Sequence, residues 1–183
     1  MDLETKRFYR FLAPRPTAII TTIDEEKKIN AAPFSFIMPV SMDPPLLAVA
    51  IGNKRDILTN IRDSREFVVN IPPEEMLSEL WTCSKHQFRG DENLEAVGLT
   101  TVDSEKVLAP CIRECIIWFE CLLENEMEMG DHILVIGRVV HAEVKDNIVG
   151  KENNIDLKKA KVLMHISGPK FTVARKEITA KNK

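Results

Sequence analysis

Residues 15–61 read RPTAIITTIDEEKKINAAPFSFIMPVSMDPPLLAVAIGNKRDILTNI, and this stretch decides the fold. Its first part, TAIITTI at 17–23, is a β-branched run; the charged DEEKK follows and then INAAPFSF, which predicts two adjacent strands joined as a hairpin. After Pro39 and the turn-rich SMDPP, the run LLAVAI at 46–51 is short, continuous and apolar. A strand buried on both faces has that composition, so it is placed centrally in a barrel. Gly52 closes the run, and DILTNIRDS at 56–64 sets Ile57 and Ile61 at i and i+4 with Asp56 placed to begin a helix.

The rest of the chain extends the same pattern. EFVVNI at 66–71 is a further strand stopped by Pro72 and Pro73, and a helix over 74–81 has Met76, Leu77 and Leu80 on one side. From 115 to 129 the period is two, with Phe119, Cys121, Leu123, Met127 and Met129 on one face and Glu120, Glu124, Glu126 and Glu128 on a solvated one. Gly130 and Asp131 turn the chain into HILVIGRVVHAEV at 132–144, an antiparallel return strand. Residues 145–161 read as a polar surface loop before VLMHI resumes the apolar pattern, and the tail from Lys176 is expected to fray. No repeat or linker divides the chain, which predicts one mainly β domain over 1–183, with its core at about 10–175 and a few short helices.

Composition narrows the function classes. With 25 Lys and Arg against 28 Asp and Glu, the charge is near balance, so nucleic acid and anionic membrane are not expected partners. No apolar run approaches a bilayer span and the N-terminus lacks a signal-like apolar region, which predicts a cytoplasmic protein. Cys83, Cys111, Cys115 and Cys121 lack CxxC spacing and read as buried free thiols. The histidines 86, 132, 141 and 165 form no HxxxH pair, so local spacing signals no metal. Seven glycines without GxGxxG, GKS or GxSxG exclude a Rossmann site, a phosphate loop of the GKS or GKT type and a nucleophile elbow. Trp81 and Trp118 lie in apolar patterns and are expected in the core or at a subunit contact.

The 15–61 block, together with EFVVNIP, the GDH of residues 130–132 followed by ILVIGRVV, and a distal HISGPKF, resembles the flavoredoxin and flavin-reductase-like family over most of the chain. The GPK ending and the spacing are most similar to flavoredoxins and their archaeal relatives. The resemblance implies an FMN-binding split β-barrel that works as a homodimer, with each flavin at or near the subunit interface.

It also implies a set of site residues. In the segment Asn30, Ala31, Ala32, Pro33, Phe34, Ser35 and Phe36, small side chains let the backbone approach a flat ring while its amides face the flavin carbonyl edge. Asn30 supplies a donor and an acceptor, Ser41 a hydroxyl, and Phe36 a cover for the ring. Asn53, Lys54 and Arg55 before a helix N-terminus, with Thr59 one turn in, are the expected phosphate site. Charge-assisted bonds of about 1.5–3 kcal/mol each would select FMN over riboflavin. Arg89 is a second candidate cation for the phosphate or the reduced ring, His132 a candidate catalytic or nicotinamide-contacting residue, and Phe171 an aromatic near the ring; His165 has no equally clear role.

FMN itself carries hydride and single-electron chemistry, so no side-chain nucleophile is required. The expected function is electron transfer through bound FMN, from NAD(P)H as a flavin reductase or from a redox protein partner as a carrier. A flavin-binding module without turnover, and a split-barrel scaffold without flavin, are the alternatives.

Overall fold

The structure, a computed structural model, describes residues 2–85, the backbone of 88–89, and residues 94–180. A 3-10 helix at Thr5–Arg10 leads into the short strand β1 (Arg15–Pro16), then β2 (Ala18–Ile23), β3 (Ile29–Phe34), β4 (Ile37–Met42) and β5 (Pro45–Gly52). Helix α1 (Asp56–Ser64), β6 (Glu66–Ile71) and α2 (Leu77–Lys85) follow, with the short strands β7 (Phe88–Arg89), β8 (Thr101–Val102) and β9 (Cys111–Ile112). The long pair β10 (Ile117–Met129) and β11 (His132–Val144), helix α3 (Leu157–Ala160), β12 (Leu163–Ser167) and β13 (Lys170–Val173) complete the chain.

The main sheet has the order β4-β5-β11-β10-β6-β2-β3-β7, and β1 joins the β12–β13 hairpin in a three-stranded sheet. All pairings are antiparallel. This is a mainly β split barrel with short helices, as the strand-rich pattern requires.

Two hydrophobic clusters explain why β2 is buried along almost its whole length. Ala18 and Ile20 face one cluster, with Leu47, Val49 and Ile51 of β5, Phe67 and Val69 of β6, and Ile57, Leu58 and Ile61 of α1. Ile19 faces the other, with Met76, Leu80 and Cys83 from the α2 region and Trp118 of β10. Alternating side chains therefore meet apolar partners on both faces. Gly137 of β11 allows Phe67 to lie against the strand: a Cβ there would stand 2.5 Å from the Phe67 ring. Gly130, at φ 66°, makes the tight turn between β10 and β11.

Several expectations change. LLAVAI is flanked by β4 and β11 and so lies second from the sheet edge, because residues 37–42 form a separate strand. Glu120 is 2% exposed rather than solvated. A bulge between Glu120 and Cys121 shifts the alternation, and the Glu120 carboxylate accepts the backbone N–H groups of Glu105 (2.9 Å) and Lys106 (2.6 Å). Leu77 is exposed while Met76 and Leu80 are buried. The polar segment 145–161 is not all loop, since it contains α3 and buries Ile148 and Ala160. The four cysteines are buried free thiols.

Asn70 binds three segments at the centre. Its amide nitrogen donates to the Ile19 carbonyl and Thr21 Oγ1, each at 3.0 Å, and its oxygen accepts the Ile112 N–H at 2.8 Å. Thr21 in turn donates to the Pro110 carbonyl at 2.6 Å. Asn70→Ala leaves the Ile112 N–H buried without a partner and is expected to cost about 2–3 kcal/mol, read from the urea midpoint at unchanged m-value.

Candidate functional site

The candidate site forms where the N-terminal segment crosses the start of β4. Phe36 lies before β4, and its carbonyl accepts the Ala50 N–H at 2.9 Å, which holds it beside β5. A cavity of about 380 Å³ opens here, walled by Tyr9, Arg15, Ser35, Phe36, Met38, Ala50 and Leu134. The small side chains of Ala48 and Ala50, on the β5 face opposite Leu47, Val49 and Ile51, leave this space. The Phe36 ring stands 6.1 Å from Tyr9 and 5.6 Å from His132 between centroids.

His132 begins β11 opposite Gly52, the last residue of β5. The Asn53 N–H donates to the Asp131 carbonyl at 3.3 Å, so Asn53, Lys54 and Arg55 leave β5 beside the same turn. Arg55 caps α1 in an extended conformation without a side-chain capping bond, and Asp56 is the first helical residue. His132 Nδ1 lies 2.6 Å from Asp131 Oδ1, and this bond lowers the Asp131 pKa. With Nδ1–H donating, neutral His132 presents Nε2 as an acceptor; it becomes a donor there only when protonated.

Arg15 is the feature that the sequence reading missed. It is 9% exposed and forms no ion pair among the described residues. Nη1 donates to the carbonyls of Tyr9 (2.5 Å) and Leu12 (2.7 Å), and Nη2 to that of Ile166 (3.2 Å), while Nε has no partner. The guanidinium carbon sits 5.4 Å from the Phe36 ring centroid. His165, left without a clear role by the sequence, receives Arg15 Nη2 at 3.3 Å and Ser35 Oγ at 2.9 Å on Nδ1. Its Nε2 lies 3.1 Å from the Gly168 carbonyl, a pure acceptor. The ring is therefore the neutral Nε2–H tautomer, with Nδ1 accepting from both partners. Their only sequence signals are the RP of residues 15–16 and the HISGPKF block.

The structure gathers Ser35, Phe36, Asn53, Lys54, Arg55 and His132 around one end of β5. Pro33, Phe34 and Phe171 instead line a second cavity behind Ser35, together with Trp81. Trp81 is thus part of a cavity wall, whereas Trp118 is a core residue whose indole N–H donates to the Ile112 carbonyl. Ala32 packs against the cluster that contains α1. Ser41, opposite Leu46, lies about 20 Å along β5 from Gly52 at roughly 3.3 Å per residue. Asn30 and Thr59 line a third cavity with Asp24, Glu25, Glu26, Asp56, Asp63 and Lys28, where carboxylates outnumber the cation among the described residues, an environment that opposes a phosphate dianion. The Arg89 side chain lies outside the described residues; its backbone pairs with Asn30.

Burial lowers the His165 pKa below its ordinary 6.5, the nearby Arg15 charge adds to this, and the bond to Gly168 opposes it. The unfolded chain then binds this proton more readily, so the stabilisation is complete above about pH 6.5 and is lost as pH falls towards the folded-state value. Imidazole ¹⁵N NMR is expected to show His165 titrating below 6.5 from the Nε2–H tautomer.

The profile of the family described as "Flavin reductase like domain" matches residues 9–168. An uncharacterized protein of Methanothermobacter thermautotrophicus is 37% identical over 160 residues, covering 85% of this chain and 76% of its own. Among solved structures, nitrilotriacetate monooxygenase component B from Bacillus cereus aligns with a TM-score of 0.84 at 26% identity, over 98% of this chain and 95% of that one. The flavoredoxin of Desulfovibrio vulgaris (Miyazaki F) shares the fold at TM-score 0.82 and 20% identity, over 92% and 90%. So does the FMN-binding protein from Thermus thermophilus, at TM-score 0.83 and 21% identity, over 99% and 97%. Together with the split barrel, the family match places this chain in the flavin-reductase-like family, to which the flavoredoxin motifs of the sequence also pointed.

Proposed function

We propose that the chain binds FMN and passes electrons through it, with NAD(P)H or a redox protein as donor. The observation that carries this reading is the cavity beside Phe36. It is within the size range of ligand pockets, mostly apolar, and has a buried guanidinium and a serine hydroxyl in its wall. A flat conjugated ring with a polar edge suits such walls. Arg15, uncompensated by any carboxylate among the described residues, favours negative charge on the occupant. FMN, when bound, supplies the hydride and single-electron chemistry.

The chain's own residues would divide the work. Phe36 covers the ring and Tyr9 closes the cavity from the N-terminal segment. Lys54 and Arg55, ahead of the uncapped α1 N-terminus, hold the phosphate; the carboxylates around Thr59 make that residue the weaker candidate. His132 offers a hydrogen bond at the cavity edge. The match to the FMN-binding protein from T. thermophilus supports FMN as the flavin. The homodimer belongs to the same reading and is supported by Met38, Val40 and Met42 on the edge strand β4, which are 54%, 48% and 97% exposed.

The deciding measurement is the anaerobic absorption spectrum of the protein with FMN, before and after NADH or NADPH. Bleaching is the expected result for a reductase; a spectrum that persists with nicotinamide but bleaches with a reduced redox protein assigns the carrier role. Absence of flavin uptake overturns the reading. The double substitution of Lys54 and Arg55 by Ala is expected to weaken FMN binding about 10- to 100-fold and to leave riboflavin binding unchanged, measured by flavin fluorescence titration.

A further inference from the structure

The cavity behind Ser35 is a separate compartment, formed between β3, α2 and the β12–β13 hairpin, with a volume of about 220 Å³. That is room for about seven waters at roughly 30 Å³ each, and so for one six-membered ring with a short substituent. Its walls are aromatic. Trp81 meets Phe171 edge to face at 6.5 Å, and His165 tilts against Phe171 at 5.0 Å. Such walls favour a flat π-system over a saturated one.

The polar groups restrict the ligand further. Ser84 donates its hydroxyl proton to the Trp81 carbonyl at 2.6 Å, and Ser35 donates to His165 Nδ1, so both present oxygen lone pairs. Thr17 is 2% exposed, forms part of the wall, and its Oγ1 has no hydrogen-bond partner. A buried hydroxyl left in that state is costly and is relieved by a ligand that accepts its proton. Among the described residues no carboxylate, lysine or arginine lines the cavity, and both nitrogens of His165 are engaged.

We propose that this cavity binds a neutral, single-ring aromatic compound whose substituent both donates and accepts a hydrogen bond, as a carboxamide or hydroxyl does. The ring packs against the aromatic wall that Trp81 and Phe171 form together, the substituent accepts from Thr17, and it donates to a serine oxygen. The site shares the Ser35 wall with the first cavity but does not depend on flavin binding there.

Benzamide is the probe, titrated into the full-length protein while the Trp81 indole N–H signal is followed by NMR and assigned with Trp81→Phe. Saturable shifts of Trp81 and not of Trp118 are expected, with toluene and benzoate binding more weakly. Thr17→Val keeps the side-chain shape and removes the unpartnered hydroxyl, so the variant folds at least as well; it is expected to weaken benzamide about three- to tenfold. Phe171→Ala is expected to weaken it by tenfold or more. Absence of a saturable Trp81 shift, or binding undiminished in both variants, overturns the proposal, whatever the flavin titration shows.

Discussion

A guanidinium that is nine-tenths buried and has no carboxylate partner among the described residues organises the end of this molecule that carries the candidate site. Arg15 cannot shed its proton, so the fold satisfies it with main-chain carbonyls drawn from segments far apart in sequence: Tyr9 and Leu12 before β1, and Ile166 in β12. That demand pulls the N-terminal segment over Phe36 and brings His165 to Ser35. Removing the guanidinium would release the wall of one cavity and unseat the hydrogen bonds beside the other. Full compensation by a carboxylate would have cancelled the positive field of the guanidinium beside the first cavity.

Beneath this end, Asn70 performs the matching role for the scaffold. Its carboxamide joins β2, β6 and the segment around Ile112, so the sheet and the loop region that covers one of its faces are held by one buried side chain. The division of labour is physical. A neutral amide whose donors and acceptor are all used stabilises and rigidifies, whereas a cation with a nitrogen left over stays available.

Much of the fold was legible in the residues. The β-branched run of β2, the apolar run of β5, the i, i+4 pair of α1 and the Gly130–Asp131 turn are local signals whose periods match the structure. Misplaced features have a common cause. The Glu120 bulge and the separate edge strand β4 depend on what lies opposite, and a one-residue insertion moves side chains between faces without leaving a mark in composition.

The same distinction holds at the site. By itself the sequence determined the family, through the joined motif blocks, and among its candidate residues Ser35, Phe36, Asn53, Lys54, Arg55 and His132 stand together because short connections at one end of β5 bring them there. Only the tertiary structure decided that Ser41 lies at the far end of that strand, that Thr59 and Asn30 sit among carboxylates, and that Trp81 lines a cavity. It alone paired Arg15 with His165, separated by 150 residues. Strand periodicity is a property of neighbouring residues. A buried charge is assigned its partners by whichever distant carbonyls and rings the packing of the whole chain places around it.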